Sequence, residues 1–189
     1  MSKFEDKNYK ERLLKYIFEY TWLEPPLFRY NEGKILYFDV ESKPEMQTVQ
    51  LIQSVFDDVF FIGSKLFVVF YCYTDPMFRK LRCDWKDGKK YFKRFSPKKI
   101  LRKRYKSKNE DNDENNYIVV CLTERSSFKF KEFLTDYLED EQNCQMAFLS
   151  LKKGTAIQMP DSRGFNLVST DQDFLSFLHK KYEKVCVRE

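Results

Sequence analysis

The sequence predicts an α+β fold in which a mainly antiparallel sheet carries helices packed on one face. Segments with helical periodicity alternate with strand-like apolar runs along the 189 residues. Consecutive strand-like runs are joined by short turns, which connect antiparallel strands, whereas parallel strands need a crossover of a dozen or more residues. With 42% hydrophobic residues the chain can bury its own core, so we expect a single domain spanning 1–189.

The first third of the chain contains two predicted helices and three predicted strands. Apolar residues recur at three- and four-residue intervals in both helical segments, and the first helix ends before Pro25-Pro26 because proline restricts the residue preceding it. The run from 65 to 73 is too uniformly apolar for a surface strand, so we expect it at the centre of the sheet. The helices are predicted at 10–22 and about 47–58, and the strands at 27–30, 34–40 and 65–73.

The middle of the chain predicts a basic hairpin followed by a short helix. Residues 81–95 alternate in polarity around Asp87-Gly88, a dipeptide that favours a tight hairpin turn. Ser96-Pro97 supplies an N-cap and a proline for the first helical position, so we expect a helix from there through Tyr105. The basic hairpin and helix at 79–106 and the charged loop at 106–116 form a candidate insertion within the domain.

A buried strand at 117–123 and another helix are predicted after the charged loop. Ser126-Ser127 is expected to cap this helix, because a serine oxygen accepts hydrogen bonds from the free N–H groups of a first turn. Carboxylates in the last turn of the helix oppose its dipole, and such an arrangement occasionally marks a binding surface. These carboxylates belong to Glu139, Asp140 and Glu141.

The final third predicts a three-stranded meander and a closing helix. Turns at 152–154 and 161–164 separate the strands, which cover 145–151, 155–159 and 165–168. The closing helix is expected to begin at Ser169-Thr170, with Asp173 placed as in a capping box. Its predicted apolar face consists of Phe174, Phe177, Leu178 and Tyr182.

The sequence contains no catalytic constellation, and we predict that the protein is not an enzyme. His179 is the only histidine, which excludes a metal site built on two or three imidazoles. The five cysteines are widely spaced without a C-x-x-C pair, a pattern typical of reduced thiols. Phosphate-loop, dinucleotide, hydrolase-elbow and zinc-protease motifs are absent from the sequence. We therefore expect no metal, no cofactor and no small-molecule substrate.

Charge is strongly segregated along the chain. Residues 77–108 carry 15 Lys or Arg and 2 Asp or Glu, whereas the whole chain has a net charge of only +5, so the remainder is acidic. Aromatic residues lie among the basic ones, as on surfaces that hold phosphates and stack bases, although solvation alone also accounts for many charge runs. The candidate partner-binding residues are Arg79, Arg82, Lys98, Lys99, Arg102, Lys103 and Arg104, and the alternative acidic face consists of Glu139, Asp140 and Glu141.

Three combinations of sequence stretches support a family resemblance. They are 23–28 with 35–39, the basic run ending at Tyr105 with 117–120, and 147–151 with Asp161-Ser162-Arg163-Gly164 and the closing helix. Together they resemble an uncharacterised family of small bacterial domains that includes immunity proteins of LXG-type polymorphic toxins, and the resemblance spans most of the chain. It implies a non-enzymatic protein that binds and neutralises a cognate protein toxin. The alternative is a nucleic-acid-binding or regulatory protein that uses the basic segment at 79–106.

The D-x-R-G turn of this resemblance has a structural explanation. Asp161 can cap the turn, Arg163 can hold a neighbouring carboxylate or carbonyl, and Gly164 can supply a positive φ. The N-terminus lacks the apolar core of a signal peptide, and no apolar run approaches the length needed to span a bilayer. We therefore expect a cytoplasmic protein without a membrane partner.

Overall fold

The described part of the chain consists of nine strands in one sheet and three helices. The structure, a computed structural model, describes residues 11, 35–41, 43–75, 80–83, 98–105, 116–138, 146–150, 153–159 and 164–188. The strand pairs within these ranges are antiparallel. The predicted α+β class with an antiparallel sheet is therefore confirmed.

The elements follow one another in a mixed order. The strands are β1 Ile35–Asp39, β2 Lys65–Asp75, β3 Lys80–Cys83, β4 Lys98–Tyr105, β5 Asn116–Glu124, β6 Met146–Ser150, β7 Thr155–Met159, β8 Gly164–Ser169 and β9 Cys186–Arg188. The helices are α1 Glu45–Val59, α2 Phe130–Leu138 and α3 Gln172–Lys181. Across the sheet the strands run β4, β5, β2, β6, β7, β8, β1, β9, and β3 pairs with β2 beside this path.

Strand β2 lies in the interior of the sheet, as its uniformly apolar sequence predicted. It pairs with β5 on one side and with β6 on the other. Val68 is thus opposite both Cys121 and Phe148, and all three residues are buried. The predicted meander is confirmed as well, because β6, β7 and β8 pair in sequence order.

The three helices contribute to one hydrophobic core on one face of the sheet. Phe148 of β6 is central to it, since its ring makes edge contacts with Phe56 of α1 and Phe133 of α2 at centroid distances of 5.4 and 5.5 Å. Near the other end of the sheet, Phe38 stacks on Phe165 at 4.5 Å and meets Tyr182 edge-on. These contacts position the ends of α1 and α3, where the candidate site lies.

The centre of the sheet is buried on its other face too. Ile35, Val69, Leu149 and Val168 alternate with the core residues of their strands and are themselves buried. A strand that is buried on both faces needs apolar residues at consecutive positions instead of an alternating pattern. This explains the continuous apolar runs that the sequence shows in these strands.

The prediction of a helix after Ser96-Pro97 is wrong, because residues 98–105 form strand β4. Its backbone pairs with β5 from Lys98 opposite Leu122 to Tyr105 opposite Asn116, with an irregularity between Lys99 and Leu101. A short helix with a single narrow apolar stripe is marginal, whereas pairing with a buried strand gives each residue a ladder partner. Tertiary pairing has therefore overridden a local capping signal.

Two further helix starts differ from prediction. Ser126 and Ser127 belong to a 3-10 turn, Arg125–Ser127, and α2 begins only at Phe130, so the serines do not occupy its N-cap. Helix α3 is capped by Asp171, whose Oδ1 accepts a 3.0 Å hydrogen bond from the backbone N–H of Phe174. The expected cap at Ser169-Thr170 is thus displaced by one residue, because a carboxylate one position later can reach the same first turn.

The far end of the chain also differs from the sequence expectation. Leu175 and Leu178 are the buried residues of α3, whereas Phe177, expected on the apolar face, is 55% exposed. Strand β9 was not predicted. It pairs with β1, placing the buried Cys186 opposite Phe38.

Gly164 serves a different purpose from the one predicted. It lies in β8 opposite Asp39 and is not a positive-φ residue; within the described ranges, Gly63 and Gly154 have that conformation. A Cβ atom at position 164 would approach the Tyr37 hydroxyl to 2.5 Å and the Phe38 carbonyl oxygen to 2.7 Å. The glycine is therefore required for close approach to β1.

Some predicted features lie outside the described residues. These are the strand at 27–30, the turn at Asp87-Gly88, the loop at 106–115, the carboxylates Glu139, Asp140 and Glu141, and the turn residues Asp161 and Arg163. Of the helix predicted at 10–22, the structure describes Glu11, which is helical.

Candidate protein-binding surface

Helix α1 ends in a short loop that exposes two large apolar side chains. Its buried face, which includes Val55 and Val59, packs against the core. The chain then turns through residues 60–64, which we call the α1 tip; Gly63 has a φ of 87° there, and the N–H of Ser64 donates to the Phe61 carbonyl at 3.1 Å. Phe61 is 45% exposed and Ile62 is 82% exposed. Adjacent exposed residues of this size are typical of contact surfaces.

Arg125 holds the α1 tip against the 3-10 turn before α2. Its backbone N–H donates to the Ser64 carbonyl at 2.9 Å. Its guanidinium pairs with Asp57, donates to the Phe128 carbonyl at 3.0 Å and lies 4.9 Å from the centroid of the Phe56 ring. The Arg125 side chain is only 12% exposed, whereas that of Asp57 is 52% exposed, so the guanidinium is largely removed from water while its carboxylate partner is not. These contacts together fix the loop that carries Phe61.

A groove runs between the α1 tip and this turn. Its volume is about 790 Å³, and its lining consists of Asp57, Phe60, Phe61, Ile62, Arg125 and Ser126. Two buried polar atoms close to it, Nε of Arg125 and Oγ of Ser64, have no hydrogen-bond partner within the described ranges. The groove therefore combines apolar walls with an unused hydrogen-bond donor.

Asp58 joins the end of α1 to α3 and to the turn before β7. Its carboxylate accepts hydrogen bonds of 2.8 and 2.7 Å from Nζ of Lys181 and one of 2.7 Å from the Tyr182 hydroxyl. Its backbone carbonyl accepts a 3.1 Å hydrogen bond from Nζ of Lys153. Burial, reinforced by the hydrogen bond to Asp58 and its negative charge, raises the pKa of Tyr182 above its ordinary value. The phenol thus remains a donor at neutral pH.

The Lys153 side chain lies between aromatic rings of the α1 tip and of α3. Nζ of Lys153 lies 5.4 Å from the centroid of the Phe61 ring and 5.0 Å from that of Phe174, and Phe174 in turn lies 6.5 Å from Phe177. Burial lowers the pKa of Lys153, and the charges of Asp58 and Asp171 oppose this shift. The result is one continuous surface, which we call the tip surface, formed by Phe61, Ile62, Lys153, Phe174 and Phe177.

Comparison with known proteins assigns the chain to a family. The model of a domain of unknown function, DUF3885, matches residues 11–187. The chain belongs to the DUF3885 family. No curated protein and no solved structure matches the sequence. The DUF3885 match includes α1, the α1 tip and the Asp58 cluster, which consists of Asp58, Lys153, Lys181 and Tyr182, so the tip surface lies within the family domain.

The basic residues predicted as a binding site lie elsewhere in this DUF3885 chain. Lys98, Lys99, Arg102, Lys103 and Arg104 belong to β4, and Arg82 belongs to β3. In the β4–β5 register, Lys99 and Arg102 lie opposite Cys121 and Val119, whereas Lys98 and Lys103 lie opposite Leu122 and Ile118. Successive positions of a strand alternate between the two sides of a sheet, so β4 divides its basic positions between both faces. Arg79 lies outside the described residues.

Across the described ranges, no group of three or more His, Cys, Asp or Glu side chains is placed to hold a metal ion. Cys121 and Cys186 are buried, and burial raises the pKa of the Cys186 thiol to about 11. No helix in these ranges is sufficiently long and apolar to cross a membrane.

Sequence analysis did not identify the tip surface. Asp58 and Lys181 are 123 positions apart, so their pairing has no local sequence pattern. A signal was nevertheless present at Asp57-Asp58, because carboxylates in the last turn of a helix oppose its dipole and favour pairing with cations. The large apolar residues that precede Gly63 were a second such signal.

Proposed function

We propose that this DUF3885 protein is a non-enzymatic binding protein that neutralises a cognate bacterial toxin by engaging it at the tip surface. The observation that carries the proposal is the exposure of Phe61 and Ile62 on a loop held by Arg125. Binding energy concentrates in large side chains at the centre of an interface, and a loop fixed before binding loses little conformational entropy. The sequence resemblance to immunity proteins supports a toxin as the partner.

The charged residues in and next to the tip surface favour a protein over a nucleic acid as the partner. Arg125 and Lys181 are paired with Asp57 and Asp58, and Lys153 donates to a carbonyl. A phosphate backbone is bound by cations that replace its counterions, and cations already paired with carboxylates supply little of that attraction. An apolar surface with internally balanced charge suits the buried centre of a protein interface, where unpaired charges are depleted.

A second candidate function rests on β4. Five of the basic residues predicted from sequence lie in this one strand, which stands at one end of the described strand order. A nucleic-acid-binding or regulatory role would use them together with the remainder of 79–106. Binding to generic DNA or RNA that weakens steeply as salt rises would support this role, because released counterions drive such complexes.

Growth rescue tests the proposed function directly. A candidate toxin gene, chosen from the genomic neighbourhood of the gene for this protein, is expressed in a susceptible bacterial host with and without the protein, and rescue is measured as colony formation. We expect the wild-type protein to rescue growth and the double variant Phe61→Asp, Ile62→Asp to fail.

A matched control for this experiment is Met46→Asp. Met46 is 72% exposed at the opposite end of α1, about 20 Å from the tip at 1.5 Å per residue. This variant should rescue growth like wild type. Failure of the wild-type protein to rescue, or full rescue by the double variant, would overturn the proposal.

A further inference from the structure

We infer that Cys72 and Cys83 form a reversible disulfide that ties strand β3 to strand β2 when the protein meets an oxidising small-molecule disulfide. The inference goes beyond toxin binding and does not depend on it. It is carried by the register of the β2–β3 pair, in which the two cysteines lie directly opposite each other.

The pairing of β2 with β3 brings the two cysteines together. The strands are antiparallel over four successive pairs, from Cys72 opposite Cys83 to Asp75 opposite Lys80, and only residues 76–79 separate them in the sequence. Directly opposite residues of an antiparallel pair have Cα atoms about 4.5 or 5.5 Å apart, depending on the kind of pair. Disulfides span Cα distances of about 4.4–6.8 Å, so the backbone permits the bond in either case.

The other cysteines of the described residues lie too far from this pair. Cys121 is opposite Val68, four positions before Cys72 along β2, which is about 13 Å at about 3.3 Å per residue. Cys186 belongs to β9, five strands away from β2 across the sheet, which is about 24 Å at about 4.8 Å per strand. Both distances exceed the reach of a disulfide. Among these four cysteines, the folded chain can therefore join Cys72 to Cys83.

The same geometry makes the bond easy to reduce. Directly opposite residues have Cβ atoms about 4.5–5.5 Å apart, whereas the two Cβ atoms of a disulfide are on average about 3.8 Å apart. Bond formation must therefore draw β2 and β3 together locally. Because a strained disulfide is reduced more readily than a relaxed one, we expect a regulatory bond instead of a permanent cross-link.

The bond forms by thiol–disulfide exchange. One cysteine, as its thiolate, attacks a sulfur of a low-molecular-weight disulfide such as oxidised glutathione, which gives a mixed disulfide and releases one glutathione thiolate. The second cysteine, also as its thiolate, attacks the protein sulfur of the mixed disulfide and releases the other glutathione thiolate. Two protein thiols are oxidised to one disulfide, one glutathione disulfide is reduced to two thiols, and the two protons pass through solvent. Excess reduced glutathione reverses both steps.

The bond acts on the beginning of the basic segment at 79–106. Strand β3 contains Arg82 and is four residues long, and among the described strands it pairs with β2, beside the main path of the sheet. A short strand with one described neighbour is expected to open more readily than the interior strands. A covalent bond that closes the loop 72–83 removes chain entropy from the open state, so oxidation fixes β3 to the sheet.

Peptide mapping of the intact protein tests the pairing. The reduced protein is incubated with oxidised glutathione under native conditions, the remaining thiols are alkylated, and the protein is digested with trypsin for mass spectrometry. Because trypsin cleaves after Lys and Arg, the two cysteines fall on separate peptides, 66–79 and 83–86. We expect these two peptides to be joined to each other, and excess reduced glutathione to separate them.

Hydrogen exchange tests the tie between the strands. Backbone amides of 80–83 should exchange roughly 10-fold or more slowly in the oxidised protein than in the reduced protein, whereas those of β7 should not change. The double variant Cys72→Ala, Cys83→Ala should lose this response to glutathione, and the matched control Cys186→Ala should retain it. If circular dichroism shows that the double variant is unfolded, the comparison of oxidised with reduced wild-type protein decides the result.

Each contrary outcome overturns the inference. These outcomes are cysteines 72 and 83 that remain separately alkylated, a native disulfide that uses Cys121, Cys144 or Cys186 instead, a bond that survives excess reduced glutathione, or amide exchange in β3 that oxidation leaves unchanged. None of these results affects growth rescue by the reduced protein, so the proposed function stands or falls separately.

Discussion

The α1 tip and strand β4 carry charge in opposite ways. In the last turn of α1, next to the α1 tip, Asp57 and Asp58 are each paired with a cation from a distant part of the chain, which leaves apolar side chains as the exposed feature of the tip. In β4, by contrast, basic residues occupy five of the eight positions of one strand. The first region has little net charge and a defined shape, whereas the second has a high charge density in its sequence.

This difference bears on how each region would bind. A concentrated positive segment accelerates encounter with acidic partners, and its contribution declines as salt screens it. An apolar surface held in place by ion pairs within the chain instead affects how slowly a complex dissociates. The two regions can therefore be distinguished by substitution. Substitutions in β4 should change the association rate constant if β4 binds, whereas substitutions at the tip surface should change the dissociation rate constant if that surface binds.

The largest expected effect comes from removing the core beneath the α1 tip. Phe56 is buried, stacks on Phe130 at a centroid distance of 3.6 Å and supports the guanidinium of Arg125. Phe56→Ala should lower the free energy of unfolding by about 3–5 kcal/mol, because it removes a buried ring and leaves a cavity. Chemical denaturation measures this loss. Met46→Ala, an exposed position on the same helix, should stay within about 0.5 kcal/mol of wild type, and an equal loss in both variants would contradict the prediction.

A smaller effect is expected at the ion-pair cluster. Asp58→Ala removes the acceptor for Lys181 and Tyr182, and we expect a loss of about 1–2 kcal/mol in unfolding free energy because the cluster is partly shielded from solvent. Glu183→Ala is the matched control, since this exposed carboxylate is beside Tyr182 and should change stability by less than about 0.5 kcal/mol. Indistinguishable denaturation midpoints for the two variants would show that Asp58 does not hold α1 to α3.

How far sequence alone predicts this fold depends on whether the information is local. Helix α1, the central position of β2 and the meander of β6 to β8 follow from periodicity and turn residues within each segment. Gly154, for example, has the φ of 59° expected of a turn glycine, and a Cβ atom there would clash with Oγ1 of Thr170. Such features require no knowledge of distant partners.

The features that sequence analysis missed depend on distant pairing. Strand β4 contains residues that the local sequence pattern assigns to a capped helix, whereas its conformation is decided by pairing with β5, which follows it later in the chain. The Asp58 cluster unites α1 with residues more than 90 positions away. Gly164 was predicted as a turn residue, but the structure uses it for close contact with Tyr37 and Phe38. That contact arises only when β8 pairs with β1, so no local sequence pattern indicates it.

Alkaline titration tests the connection of Tyr182 to the same cluster. Because the folded protein raises the pKa of this phenol above its ordinary value of 10.0, the neutral form is favoured in the folded state. The resulting stabilisation is complete below pH 10 and is lost as the pH rises through the folded-state pKa. Tyr182→Phe should therefore flatten the decline of unfolding free energy above pH 10. An unchanged slope, measured by denaturation at a series of pH values, would mean that another group dominates the alkaline transition.

The smallest expected effect, and the sharpest distinction between the two regions, comes from reversing the charge of β4. The variant Lys98→Glu, Lys99→Glu, Arg102→Glu, Lys103→Glu changes the net charge by eight units while leaving the tip surface intact. If the partner binds at the tip surface through an uncharged surface of its own, the association rate constant of the variant at low salt should differ from that of wild type by no more than about twofold. Stopped-flow association with the toxin measures this rate constant, with circular dichroism as the control for folding.

A basic binding face would instead make association of the variant markedly slower than that of wild type at low salt. The difference would shrink as salt rises, because screening removes the steering that β4 provides. Such a result would transfer the interface from the α1 tip to β4, whereas faster association would indicate a basic toxin attracted to the acidic remainder of the chain.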